Sequence, residues 1–401
     1  MVADVADRAA DVRRAAATRV KPDAKLLGLL SVGHLTVDTI QGSLPALLPF
    51  LKATFGLSYA AAGTIMLMAT VTSSIIQPLF GYLSDRTARR WILPASVALA
   101  GLGFGLTGLT RSYPALLGLV VLMGLGVAAW HPEGYRTASS VAGDRKATGI
   151  SWFSLGGNVG IAFGPPVITV LVTTFGLAGT LGLLVPAGLV ALLLLAALPL
   201  LSPPARPLVS VTAAGAGRNM PGAMAILIVV VMLRSWTQLG FTTFVPFYYV
   251  DHLGADPRLV GSLLFVFLGA GALGTIAAGP VADRFGARPC MVWACLLAVP
   301  LTVGFLLTRG AVAFVMLGAV GFTLISTFTV SVVLAQAYLP RNLGMASGMI
   351  VGFAIGTGGL GVAVLGAVAD RWGLPQALWV TALMPVAGFA AALFLPEPTH
   401  R

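Results

Sequence analysis

Gly81-Tyr82-Leu83-Ser84-Asp85-Arg86 returns later in the chain as Gly279-Pro280-Val281-Ala282-Asp283-Arg284, with Asp283 lying 198 positions after Asp85. Other pairs keep nearly the same spacing. Pro49-Phe50 matches Pro246-Phe247, and Gly63 matches Gly261. Ala147-Thr148-Gly149 matches Ala346-Ser347-Gly348, and Phe175-Gly176-Leu177 matches Trp372-Gly373-Leu374. A repeat this long means one structural unit used twice in the same direction. The two copies occupy residues 26–201 and 222–396, with a tail at 1–25 and a short end at 397–401. The join at 202–221 holds Pro203, Pro204, Pro207, Gly215 and Gly217, which is linker chemistry.

Composition says what surrounds each unit. Hydrophobic residues make up 57% of the 401 and charged residues 9%; the mean hydropathy is +0.94. A soluble domain carries about 25% charged residues, so this chain cannot clothe itself for water and its solvent is lipid. A spanning helix needs about 20 mostly apolar residues. Spans fit at about 26–53, 58–84, 91–110, 114–138, 147–175, 179–201, 222–250, 258–282, 290–308, 311–338, 343–369 and 375–396. Strands with alternating polarity are missing, which argues against a membrane barrel. Residues 1–25 are alanine-rich and mixed in charge, and read as a tail. Cys290 and Cys295 stand five apart on one span and do not share a face, so they imply neither a disulfide nor a metal site.

The net charge of +11 does not point to nucleic acid, because of where the basic residues fall. Of 24 Lys and Arg, seventeen lie on the side of the termini and five on the other, with only Arg136 and Arg234 inside spans. That asymmetry places both termini in the cytoplasm. The acids are sorted just as sharply. Eleven of the thirteen lie in tails, loops or span ends, and only Asp38 and Glu133 fall well inside apolar stretches. A charge at bilayer depth costs roughly 2.5–3.5 kcal/mol or more, so such residues mark function.

Each buried acid has polar company. His34 and Asp38 are four apart and stack on one helix face, with Gln41 following at i+3. At about 1.5 Å per residue, Asp38 lies roughly 18 Å from the start of its span. His131 and Glu133 reach a comparable depth on the fourth span, where Glu133 and Arg136 share a face at i+3. A carboxylate's affinity for protons rises with desolvation and falls beside a cation, so an acid that alternates between the two loads and releases protons. Histidine titrates near neutrality. Asp38 and Glu133 are therefore the candidate proton carriers, with His34 and His131 as tuners or relays. The competing reading is a polar cluster that locks the first and fourth spans together.

Arg136 and Arg234 are the candidate substrate groups, together with Gln41, Trp236, Gln238 and Phe241. An arginine can hold a carboxylate or phosphonate bidentately; alternatively, Arg234 forms an internal ion pair with Asp38 or Glu133. Trp236, Phe241, Phe244 and Tyr248 form an aromatic wall for an amphiphile or simply pack. All these side chains are expected to gather in one watery chamber between the two bundles.

With these residues in view, the chain resembles the major facilitator superfamily over its length apart from the tail. Gly81-x-Leu83-x-Asp85-Arg86-x-x-Arg89-Arg90 matches the superfamily's signature loop, and Asp283-Arg284 its weaker second copy. Gly156-Gly157-Asn158-Val159-Gly160 and Gly164-Pro165 resemble the glycine–proline motif of its antiporters. A narrower likeness is to the fosmidomycin-resistance family of drug exporters. It rests on Gly33-His34-Leu35-x-x-Asp38-x-x-Gln41, His131-Pro132-Glu133-x-x-Arg136 and Arg234-Ser235-Trp236. Val120 stands where general drug exporters carry an arginine four residues before a glycine, here Gly124.

The resemblance implies an all-α membrane protein with twelve transmembrane helices in two pseudo-symmetric six-helix bundles, the major facilitator fold. It implies a monomer in a bacterial-type inner membrane that needs no cofactor. Its cargo is a small molecule exchanged for protons by alternating access. Asp85 is expected to present its charge to the N-terminus of the eleventh span near Asn342, latching the cytoplasmic side. Import of an organic anion on the same fold, and a non-transporting sensor, are the other readings. No serine–histidine–acid set, metal spacing or phosphate loop marks an enzyme, although Asp38, His34 and His131 near one another imitate one.

Overall fold

The computed structural model describes residues 22–77, 79–80, 90–143, 146–201 and 218–398. Twelve helical rods follow one another through them. The first half holds α1 (Ala24–Phe55), α2 (Tyr59–Thr70, prolonged by a π-turn at Val71–Ile75), α3 (Ile92–Gly105), α4 (Tyr113–Val141), α5 (Lys146–Phe175) and α6 (Leu184–Ala196). The second holds α7 (Pro221–Phe247), α8 (Leu259–Phe285), α9 (Ala287–Leu307) and α10 (Gly310–Tyr338). It closes with α11 (Leu343–Gly348, a π-turn at Met349–Ala354, then Gly358–Trp372) and α12 (Leu374–Leu393). Most boundaries lie within two or three residues of those expected from hydropathy. The expected linker at 202–221 and the signature loop residues Gly81, Asp85, Arg86 and Arg89 fall wholly or mainly outside the described residues.

Local chemistry sets the helix ends. Asp23 caps α1 by accepting from the backbone N–H groups of Lys25 and Leu26 at 3.1 and 3.0 Å. Gly56 closes α1 in the left-handed conformation, φ 63°. Ser58 caps α2 and Ser112 caps α4, through the N–H groups of Ala61 and Ala115. Nine stretches among the described residues are long and apolar enough to cross a membrane, one of which, Gly149–Ala196, contains both α5 and α6. α1 is not among them, because His34, Asp38 and Gln41 dilute its apolar run. α6 departs from the expected single span. It is entered through a 3₁₀ stretch, Gly176–Leu183, pinned where Thr180 donates to the Gly105 carbonyl at 2.7 Å and accepts from Gly108 N–H at 3.1 Å.

The repeated glycines explain how the halves meet. A Cβ on Gly63 of α2 would come within 2.8 Å of the Val362 carbonyl on α11. A Cβ on Gly261 of α8 would come within 2.8 Å of Pro166 on α5. The pair matched in sequence thus sits at the two equivalent seams, α2–α11 and α8–α5, where backbones must approach closely. Phe163 and Phe265 extend the second seam, ring to ring at 5.1 Å.

At the end away from the chain termini a carboxylate of one half caps a helix of the other. Asp370, in the last turn of α11, accepts from the backbone N–H groups of Tyr59 and Ala60 at 2.7 and 2.9 Å. This places negative charge on the positive end of α2. Asp251, just after α7, accepts from the Tyr59 hydroxyl at 2.9 Å and pairs with Lys52 at 3.2 Å. The Lys52 ammonium also lies over the Tyr59 ring, 4.4 Å from its centroid.

Hydrogen bonds to a charged group contribute about 1.5–3 kcal/mol each, so Asp370→Ala is expected to loosen this end. Thiol labelling of Leu67→Cys, beneath the seam, should accelerate roughly tenfold or more in that background. An unchanged labelling rate would show that the carboxylate does not hold the seam.

Candidate functional site

Glycines also bring α1 and α5 together. Gly156, Gly160 and Gly164 lie against the carbonyls of Ser31, Leu35 and Thr39. Ser43 on α1 answers by donating to the Gly164 carbonyl at 3.0 Å, and Ser31 to that of Trp152 at 3.0 Å. The glycine–proline stretch of α5, with Pro165 beside Gly164, therefore does packing work in this structure. Gly157 does more. A Cβ there would meet His34 Nε2 at 2.5 Å and Asp38 Oδ2 at 2.7 Å. The missing side chain is the space in which those two polar groups sit.

The site is built from α1, α4 and α5. His34 Nδ1 lies 2.9 Å from the Phe153 carbonyl of α5, and His131 Nδ1 lies 2.9 Å from the Val127 carbonyl one turn back on α4. A carbonyl only accepts, so each Nδ1 carries a proton and each Nε2 is left to face the acid. His34 Nε2 stands 3.4 Å from Asp38 Oδ2, and His131 Nε2 stands 3.4 Å from Asp38 Oδ1. The His34 ring stacks on Phe153, 4.2 Å between centroids and 26° between planes. Trp130 closes the floor beside it. His34 is buried, while Asp38 and His131 keep 13% and 17% of their side-chain surface. Gln41 lies one turn further along α1, half-buried.

Glu133 does not share this face. Two residues from His131, it is turned about 200° around the helix. It is buried and ion-paired with Arg136, as the i+3 spacing predicted.

Arg234 is elsewhere again. Its guanidinium is 95% buried among α7, α9, α10 and α12, at a small cavity lined by Val230, Cys295, Ala298, Leu324, Thr327 and Pro385. Its Nη2 donates to Gln238, while Nε and Nη1 have no partner among the described residues. The internal ion pair with Asp38 or Glu133, the alternative reading of Arg234, is therefore not formed. Nor do the ionisable groups gather in one chamber, because this side chain turns into the interior of its own half. Phe241 stacks on Phe267 and meets Phe305 at a tilt in the core of that half. Trp236 packs against Gly361 of α11, and its indole N–H has no partner among the described residues. Asp283 and Arg284 lie exposed at the end of α8.

Sequence reasoning placed Gly157 only in the glycine–proline motif, and missed the Phe153 and Val127 carbonyls and the Lys52–Tyr59–Asp251–Asp370 cluster. Asp251 and Asp370 were legible as acids at span ends, but nothing in their spacing pairs them with Tyr59. The π-turns of α2 and α11, and the one at Tyr248–His252 that follows α7, were also invisible. Two of them face each other near Ile75 and Gly356, and such turns often mark functional sites.

The Major Facilitator Superfamily profile matches residues 30–351 and 227–401. The chain belongs to that superfamily: it is an integral membrane transporter. It is 31% identical to the fosmidomycin resistance protein of Escherichia coli over 394 residues, covering 96% of each chain. In fold it is similar to a bacterial homolog of the human lysosomal transporter Spinster, TM-score 0.76 at 17% identity, covering 92% of this chain and 96% of the other. It is likewise similar to the xylose transporter XylE of E. coli, TM-score 0.69 at 16% identity, covering 94% and 96%. These relatives are transporters, not enzymes.

Overpacking a tight site costs typically 1–3 kcal/mol. Gly157→Ala is thus expected to lower the melting temperature of the purified protein, whereas Gly118→Ala, whose Cβ would meet nothing within 4 Å, should not. Equal melting temperatures for the two variants would refute the tight fit.

Proposed function

We propose that this transporter is a proton-coupled antiporter that exports a small anionic or amphiphilic, drug-like compound by alternating access. The observation that carries the reading is Asp38 held between two imidazole Nε2 atoms. With both imidazoles neutral, nitrogen lone pairs face carboxylate lone pairs. A proton placed in either gap turns that contact into a charge-assisted hydrogen bond, for which the preferred separation is about 2.7–2.9 Å. Gaining or losing a proton therefore changes how strongly α1 and α4 are drawn together. Because His34 is also tied to α5, the change reaches the helix that forms a seam with the other half. Glu133, beside Arg136, is the second carrier. The two sites lie on different faces of α4, and the helix itself links them.

The positive-inside count supports cytoplasmic termini, so the seam fastened by Asp370 and Asp251 lies on the outer side of the membrane. The relative's name supports a phosphonate cargo. Arg234 supplies the matching cation, with two donor nitrogens that have no partner among the described residues; the small cavity beside it must widen for an anion to reach them.

Two measurements test this. In inside-out vesicles acidified within, fosmidomycin should accumulate and protons should leave. Asp38→Asn and Glu133→Gln are expected to abolish that gradient-driven uptake while leaving exchange of labelled for unlabelled substrate. Full gradient-driven uptake in both variants would remove them as carriers. Separately, Arg234→Ala should weaken anionic ligands roughly tenfold or more and neutral ones little. Equal loss for both classes would make Arg234 structural.

A further inference from the structure

The His34–Asp38–His131 cluster also has the make-up of a metal centre. Two imidazoles and one carboxylate are the donors that zinc, cobalt and nickel prefer over magnesium or calcium. The three ligand atoms lie within 4.8 Å of one another. Each nitrogen–oxygen separation is 3.4 Å, longer than a good charge-assisted hydrogen bond. Two donors about 2.0–2.2 Å from one tetrahedral ion stand about 3.3–3.5 Å apart; each imidazole already stands at that distance from its own carboxylate oxygen, His34 from Oδ2 and His131 from Oδ1, and an ion between them would draw the set in from its 4.8 Å limit. The surroundings agree. Metal-bound histidines commonly donate their other nitrogen to a carbonyl or carboxylate, which fixes tautomer and ring plane. Both histidines do this here, through Phe153 and Val127, and both direct Nε2 at the acid. Asp38 Oδ1 is buried without a hydrogen-bond partner.

We propose that His34 Nε2, His131 Nε2 and an Asp38 oxygen bind one divalent transition-metal ion of the zinc type, leaving a fourth position open. The ion would tie α1 to α4 through His34, Asp38 and His131, so the bound ion arrests transport. Arrest rests on the alternating-access reading above; binding does not.

The full-length protein in detergent is titrated with cobalt(II), followed by its visible ligand-field absorption, and with zinc by equilibrium dialysis. Two of the four histidines in the chain belong to the cluster, which makes the controls clean. One ion per chain is expected, with a tetrahedral cobalt spectrum. His131→Ala and Asp38→Asn, checked for monodisperse elution, should each weaken binding at least tenfold. His252→Ala, stacked on Tyr248 in the π-turn Tyr248–His252 that follows α7, should not. No saturable binding at millimolar metal, or binding that survives both cluster substitutions, would overturn the site. Zinc that binds yet leaves flux unchanged would overturn arrest alone. Proton-driven uptake that persists in Asp38→Asn would count against the carrier assignment and leave the metal titration standing.

Discussion

The site depends on how closely α1 can approach α5. Their backbones touch because Gly156, Gly160 and Gly164 present no side chain toward Ser31, Leu35 and Thr39. In lipid, where apolar surface gains nothing by leaving one oily neighbour for another, such small-residue contacts and the hydrogen bonds between helices hold a bundle together. That approach brings the Phe153 carbonyl within reach of His34. Orientation of His34 then aims its other nitrogen at Asp38, and α4 completes the arrangement by bringing up His131. A residue with no side chain, Gly157, leaves the volume that the polar atoms fill.

The two halves are alike in plan and unlike in chemistry. The first carries an acid between two imidazoles and an acid–arginine pair, both made within its own helices. The second carries a buried guanidinium with no acid near it among the described residues. Their pseudo-symmetry survives where geometry alone matters, as at Gly63 and Gly261. It is lost where charge matters. In the proposed function, a carrier of protons and an anion has reason to divide them in this way. Two opposite charges in one low-dielectric chamber would neutralise each other, and neither would be free to respond to its ligand.

The fold was legible because the membrane imposes two strong constraints on a sequence. Every span must be apolar for about 20 residues, and the repeat at Asp85 and Asp283 fixes the halves. Half of the site was legible too. His34 and Asp38, or Glu133 and Arg136, are pairs on one helix, and the α-helical period places them together. What joined His131 to Asp38 was a helix–helix contact, which spacing does not encode. Arg234 was found as a charge in a span, but its direction was not. A position inside a span says how deep a side chain lies, and only packing says which way it points. Phe241 shows the same limit, since an aromatic stripe reads alike whether it lines a cavity or, as here, fills a core.

The latch at the closed end completes the logic. The superfamily resemblance assigns Asp85 to the N-terminus of α11, a carboxylate of the first half on a helix of the second. The structure holds the reverse relation at the opposite end, with Asp370 of α11 on the N-terminus of α2. The same two helices would then carry a charge–dipole clasp at each end, one donated by each half. A clasp of this kind is strong when closed and costs little when opened, because both the carboxylate and the helix terminus return to water. In the alternating-access reading, only one can be fastened at a time, since the halves rock about the seam between them. The cluster on α1, α4 and α5 then has to supply only the difference between two nearly balanced states, and a single proton is of the right size for that: each pKa unit of preference is about 1.4 kcal/mol, close to the worth of one clasp hydrogen bond.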